Sequence, residues 1–180
     1  MTRGELEHVL RAAGDIADDD EIVVVGSQAI LGQFPDAPAP LRASVEADVF
    51  PLNHPERADL IDGGIGELSP FHATYGYYAQ GVGEETAVLP AGWRDRLVPI
   101  RNENTRGVTG LCLEVHDLLI AKAIAGREKD RQFVREAIRH RLADKGTLIA
   151  RLAEVSNLDP AVRERVRAEI EVGFEGVGQQ

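Results

Sequence analysis

Glu46 and Asp48 stand two residues apart in Ser44-Val45-Glu46-Ala47-Asp48-Val49-Phe50, a segment that alternates strictly. Alternation is the period of a β-strand, in which residues i and i+2 point to one face. The spacing therefore puts both carboxylates side by side, with Val45, Ala47 and Val49 facing the other way. Two adjacent carboxylates repel, and burying them unpartnered costs several kcal/mol or keeps one protonated. A divalent cation removes the conflict. Hard oxygen ligands suit Mg²⁺, which also keeps substrate phosphates in its shell. Taken alone, the pair fits a solvent-facing strand with two exposed acids better than a metal site, because acid-x-acid pairs are common.

A second element adds to it. Gly26-Ser27 follows the apolar run Glu21-Ile22-Val23-Val24-Val25 and precedes Gln28-Ala29-Ile30-Leu31, which can start a short helix with Ser27 near its N-cap. Glycine lets a phosphate approach the main chain closely. Backbone N–H groups at a helix start, with a serine hydroxyl, form an anion site. An ordinary strand-to-helix turn would look the same. In chain order, though, the two features make a phosphate cradle followed by a metal-binding strand.

The elements around them read as follows. Residues 3 to 14 have the spacing of an amphipathic helix, with Leu6, Val9, Leu10 and Ala13 on one face. Residues 15 to 21 form an acidic linker, and 21 to 25 a strand covered on both faces. Residues 33 to 41 hold Pro35, Pro38 and Pro40 and read as a loop. This loop has the place of a lid or specificity segment. A helix opened by Pro55 covers 55 to 66. Residues 73 to 82 and 86 to 89 suggest β segments, 96 to 100 an edge strand and 111 to 113 a short strand. From Asp117 the pattern turns helical, over about 117 to 125, 127 to 143, 146 to 155 and 160 to 172. The composition shift near residue 114 divides the chain into an α/β core, 1 to 113, and a helical region, 114 to 180, packed on it. The fold class is α+β.

Composition sets limits. A 43% apolar fraction over 180 residues is ordinary for a globular chain. No apolar run approaches the ~20 residues needed to span a bilayer, and the start lacks a signal-peptide stretch, so a soluble, cytoplasmic protein without a membrane partner is expected. The formal net charge of −10 disfavours general nucleic-acid binding. Residues 127 to 141 nevertheless carry six basic residues, Arg127, Lys129, Arg131, Arg135, Arg139 and Arg141. They fit either a local anion surface or a solvated helix face with i,i+4 pairs. Cys112 is the only cysteine, in the apolar run Gly110-Leu111-Cys112-Leu113, and reads as a core residue. His8, His54, His72 and His140 show no ligand spacing, and His116-Asp117 reads as helix-start chemistry rather than a dyad. Trp93 reads as a packing anchor.

Val25-Gly26-Ser27 with Glu46-Ala47-Asp48-Val49 resembles the two signature motifs of the nucleotidyltransferase superfamily, the DNA polymerase β-like fold. Over about residues 20 to 140 the chain looks like the bacterial DUF6036 group. Val25-Gly26-Ser27-Gln28-Ala29-Ile30, Leu89-Pro90-Ala91-Gly92-Trp93, Asp117-Leu118-Leu119-Ile120-Ala121-Lys122 and Gly126-Arg127-Glu128-Lys129-Asp130 carry that likeness. Similar lysine and Lys-Asp elements occur in nucleotidyltransferase toxins of the abortive-infection type. The resemblance implies a mixed sheet flanked by helices. It implies NTP phosphates on Gly26 and Ser27, Mg²⁺ on Glu46 and Asp48, Lys122 on the triphosphate, and Asp130 positioning or activating the acceptor. The acceptor would be a small molecule, a protein or an RNA. A toxin role would bring an antitoxin or RNA partner. Lys122 and Asp130, eight residues apart, would lie about 12 Å apart along one unbroken helix. Gly126 is placed to break it. The superfamily pattern also has a third acid on a later strand. The equivalent segment here, Tyr77-Tyr78-Ala79-Gln80, offers Gln80 instead. That departure keeps a second reading open: a nucleotide-binding or regulatory protein of the same fold without turnover. A third is an interaction module using the helices from 146 to 172.

Overall fold

The computed structural model describes residues 1–176. Two compact units share the chain: Met1–Thr86 with Leu97–Glu114, and Ala87–Arg96 with the chain from Val115 on.

The first unit opens with α1 (Arg3–Ala17). Thr2 and Glu5 form a reciprocal capping box at its start, and Leu6, Val9, Leu10, Ala13 and Ala17 bury its apolar stripe. Its end leads into Asp19, which is buried. Asp19 accepts from the backbone N–H groups of Glu21, Asn53 and His54 at 2.8–3.0 Å and from the Asn53 side chain at 2.9 Å. Burial alone would push this carboxyl up, but those hydrogen bonds outweigh it and hold it below the usual carboxylate range. One residue of the acidic linker is thus a bracket between the start of one strand and the end of the next.

The sheet has five strands: β1 (Glu21–Val24), β2 (Glu46–Pro51), β3 (Tyr78–Gly81), β4 (Val98–Ile100) and β5 (Thr109–Cys112). Their order is β3-β2-β1-β5-β4. β1 runs antiparallel to β2 and parallel to β5, β2 runs parallel to β3, and β4 runs antiparallel to β5. The central β1 is fully buried at Ile22, Val23 and Val24, as its β-branched run requires. Cys112 on β5 is buried too, and desolvation pushes its thiol up to about 12, so it is an inert core residue. Helices α2 (Ala58–Ile65) and α3 (Pro70–Tyr75) complete this unit. The mixed sheet flanked by helices is the expected α+β class.

Two local expectations fail here. Residues 73 to 75 were expected to be β but end helix α3. Ser69 caps that helix by accepting from the His72 N–H, Pro70 sits in its first turn, and Gly76 at φ +78° ends it. Residues 86 to 89 form no strand; a short 3₁₀ turn covers Glu84–Thr86. The proline-rich loop carries a 3₁₀ turn at Ala39–Arg42 and is anchored rather than open. Leu41 and Ala37 are buried, and Arg42 Nε donates to the Ala37 carbonyl at 2.5 Å.

The second unit holds α4 (Val115–Ala125), α5 (Glu128–Arg139), α6 (Lys145–Ala153) and α7 (Pro160–Glu175). α4 is apolar nearly all round, with Leu118, Leu119 and Ile120 fully buried, so it is the central helix. Arg165 of α7 donates to the Ala123 and Ile124 carbonyls, each at 3.1 Å, and closes the carboxyl end of α4. His116 accepts from the Asp144 N–H at 2.9 Å. It therefore serves the start of α6. Among the described residues no helix is long and apolar enough to cross a membrane.

Candidate functional site

β2 alternates in burial from Glu46 to Val49, while Val45 is exposed and Phe50 buried, against the alternation read from the sequence. Ala47 and Val49 are buried, while Glu46 and Asp48 are part-exposed on the other face. β3 lies beside it in register, with Glu46 opposite Tyr78 and Asp48 opposite Gln80. Glu46, Asp48, Tyr78 and Gln80 therefore share one face of the sheet. The Tyr78 hydroxyl donates to Glu46 Oε2 at 3.0 Å. Desolvation first, then that hydrogen bond and the nearby acids, pushes the phenol up to about 12, so it stays a donor at neutral pH. Gln80 is exposed and stands at the register position beside Asp48.

On the other side of β2 the Val25 N–H donates to the Asp48 carbonyl at 3.0 Å. This brings the turn that follows β1 against the acidic strand. Gly26 has an extended backbone, φ −81° and ψ −166°, so glycine is not needed there for its conformation. It is needed for space. A Cβ built on Gly26 would lie 1.7 Å from Asp48 Oδ2 and 2.7 Å from its carboxyl carbon. The Asp48 carboxylate thus packs directly on the Gly26 main chain.

Ser27 opens a 3₁₀ helix, Ser27–Gly32, with Gly26 as its N-cap, so Ser27 is the first helical residue rather than the cap. The element is short and its backbone dipoles add little. What it offers is part-exposed N–H and hydroxyl groups beside a carboxylate. Gln28 holds it in place. This fully buried side chain donates from Nε2 to the Ser44 carbonyl at 2.9 Å, two residues before Glu46. Sequence reasoning gave Gln28 no role. Its place immediately after Gly-Ser, inside an otherwise apolar segment, was the available signal.

Lys122 and Asp130 belong to the second unit. α4 ends at Ala125, Gly126 turns the chain at φ +65°, and α5 begins at Glu128. The corner brings Lys122 Nζ to 3.3 Å from Asp130 Oδ1. Arg127 Nε reaches Asp130 Oδ2 at 2.6 Å, and Lys122 also sits over the Phe133 ring at 4.6 Å. Asp130 is buried at 1% exposure. Burial raises its carboxyl, but the Arg127 hydrogen bond and the Lys122 and Arg127 charges overcome this and hold it below the usual range. The six expected site residues thus fall into two clusters, Gly26, Ser27, Glu46 and Asp48 in the first unit and Lys122 and Asp130 in the second.

The Leu89-Pro90-Ala91-Gly92-Trp93 segment also has a structural reading. Trp93 is buried, Ala91 N–H donates to the Glu154 carbonyl at 3.1 Å, and Arg96 donates to both oxygens of the fully buried Asp117 at 2.8 and 3.0 Å. Arg151 approaches the same carboxylate at 3.2 Å. Asp117 thereby ties residues 87–96 to α4 and α6, a role that spacing did not reveal.

A protein-family model described as "Nucleotidyltransferase of unknown function (DUF6036)" matches residues 5–175. Neither the curated proteins nor the solved structures gave a match.

Proposed function

This chain belongs to the DUF6036 family, nucleotidyltransferases of unknown function, and we propose that it moves a nucleoside monophosphate from an NTP to an acceptor, with Mg²⁺ at Glu46 and Asp48. The observation that carries this reading is the packing of the Asp48 carboxylate on the Gly26 main chain, which makes phosphate cradle and metal ligands neighbours. The donor set fits the cation. Two hard carboxylates, Glu46 and Asp48, share one part-exposed face. The rest of the shell would come from phosphate oxygens and water, as Mg²⁺ prefers.

When bound, Mg²⁺ would supply charge neutralisation as an acceptor hydroxyl attacks the α-phosphorus in line, the α–β phosphoanhydride bond breaks, pyrophosphate leaves and the hydroxyl proton passes to water. The chain's own groups do the rest. Gly26 and Ser27 hold the phosphates by N–H and hydroxyl donors. Tyr78 fixes one Glu46 oxygen and leaves the other free to ligate. Lys122 contacts the triphosphate. Asp130 positions Lys122; a carboxylate already bound by two cations is a poor proton acceptor. The reaction is cytoplasmic, on a small molecule, a protein hydroxyl or an RNA end. The RNA case would make the protein toxin-like, with an antitoxin partner.

A second reading, nucleotide binding without turnover, is favoured by Gln80 standing opposite Asp48 where a third carboxylate would fit. Incubation with each α-labelled NTP, Mg²⁺ and cell extract separates the two. Label transferred to protein, RNA or a small molecule is expected from the wild type and not from the Glu46→Ala/Asp48→Ala variant. Transfer that persists in the variant would sink these assignments. NTP binding without any transfer would establish the second reading.

A further inference from the structure

The basic stripe after Gly126 is not absorbed by the reaction. Arg131, Arg135 and Arg139 follow one another at intervals of four along α5 and so line one face over about 12 Å. With Arg141 they rim a cavity of about 640 Å³ between α5 and α7. Its floor is apolar, built from Val134 and Ile138 of α5 and Val172 and Gly173 of α7. Val172 is 67% exposed. The arginines are only partly satisfied by their neighbours. Arg135 pairs with Glu128 at 2.9 Å and Arg139 with Glu136 at 2.6 Å, both arginines being 59% exposed. Arg131 lies 3.5 Å from Glu169 of α7, yet its buried Nε–H makes no hydrogen bond. Four cations and one carboxylate line a groove on a chain whose formal net charge is −10.

We infer that the groove between α5 and α7 is a docking site for an acidic amphipathic helix of a partner protein. An apolar floor with charged walls two turns long matches the helix-in-groove mode of recognition. The partner would place apolar side chains at i, i+3, i+4 and i+7 on Ala168, Val172 and Gly173 of α7, which lie over the buried Val134 and Ile138, and on the aliphatic stems of the arginines. Its flanking carboxylates, one turn apart, would meet Arg131, Arg135 and Arg139. Nucleic acid fits less well: the floor offers no aromatic platform for bases, and the rest of the chain repels a polyanion. The inference is independent of the nucleotide reaction.

The test uses the full chain and a fluorescein-labelled peptide of about 16 residues, ~24 Å long when helical, with leucines in that spacing and glutamates beside them. Fluorescence anisotropy should give saturable binding near ~10 µM, weakening as salt rises. The same peptide with lysine in place of glutamate should not bind. Arg135→Glu with Arg139→Glu, and separately Val172→Glu, should each weaken binding about tenfold or more, with melting temperatures near that of the wild type. Absence of acidic-peptide binding up to about 1 mM, or equal binding of the lysine peptide, would overturn the inference. So would tighter binding of a single-stranded oligoadenylate that is lost with the same arginines. Sedimentation showing a dimer that Val172→Glu dissociates would assign the groove to a second copy instead.

Discussion

Asp130 is buried with Lys122 on one oxygen and Arg127 on the other, whereas Glu46 and Asp48 lie part-exposed on an open sheet face where Glu46 receives a neutral phenol. Both regions hold carboxylates, and both were candidate site residues. The environments differ in what the charge is used for. At Asp130 the negative charge is neutralised within the chain and fixes the corner between α4 and α5. At β2 two carboxylates share a face with a phenol that donates to Glu46. The first arrangement holds its charge inside the fold; the second keeps its carboxylates part-exposed, as the proposed metal site requires.

The sharpest way to break this comparison is to neutralise one acid in each region. Asp48→Asn should cut nucleotide transfer by about a hundredfold or more while changing stability by less than about 1 kcal/mol. Asp130→Asn should cost about 2–3 kcal/mol of stability, because a buried carboxylate loses its charge-assisted bonds from Arg127 and Lys122. Transfer assays and denaturant melts on the same preparations check both. A large stability loss in Asp48→Asn would erase the distinction.

Acid titration sharpens it further. The Asp130 carboxyl is held below its ordinary value, so its contribution is full above the unfolded pKa near 3.8. It is lost as pH falls through the lower folded value. Stability measured from pH 6 downward should therefore drop below about pH 4 in the wild type, and the drop should be shallower in Asp130→Asn. Asp19, held low in the same direction, leaves a residual slope in that variant.

The smallest expected effect is at Tyr78. Tyr78→Phe removes one hydrogen bond to Glu46 and should weaken Mg²⁺-dependent NTP binding only a few-fold, about 1 kcal/mol. Isothermal titration reads this directly. A loss as large as that in Asp48→Asn would make Tyr78 a ligand-contacting residue rather than a positioning one.

Much of this was legible in the chain. β1 and β2 carry the two patterns that strands enforce, a continuous β-branched run where both faces are covered and strict alternation where one is open. The Gly126 corner was legible because a glycine between two helical patterns ends the first. What stayed hidden depends on tertiary placement. The sequence around Asp19 shows four acids of one kind of chemistry, and only the fold makes one of them a bracket for two strands. Asp117 meets Arg96 and Arg151 from segments 21 and 34 residues away in sequence, a pairing no local pattern encodes. Helix α3 was misread for a different reason. Its Phe71, Thr74 and Tyr75 favour strands, but Ser69, Pro70 and Gly76 supply cap, first-turn and stop signals that decide the matter in so short an element.

The parallel pairing of β1 with β5 has a consequence for how the molecule forms. β1 to β2 and β2 to β3 are joined by connections of a few tens of residues, and β4 to β5 by fewer. Glu21 and Thr109, neighbours in the sheet, are 88 positions apart. Loop closure makes that last contact about 1 kcal/mol costlier in chain entropy than the β1–β2 one. The sheet should then assemble as two pieces, β1-β2-β3 and β4-β5, with their junction formed late. Gly26, Glu46, Asp48, Tyr78 and Gln80 all lie in or beside the first piece. The candidate centre can thus reach its geometry while the remainder of the sheet is still being joined.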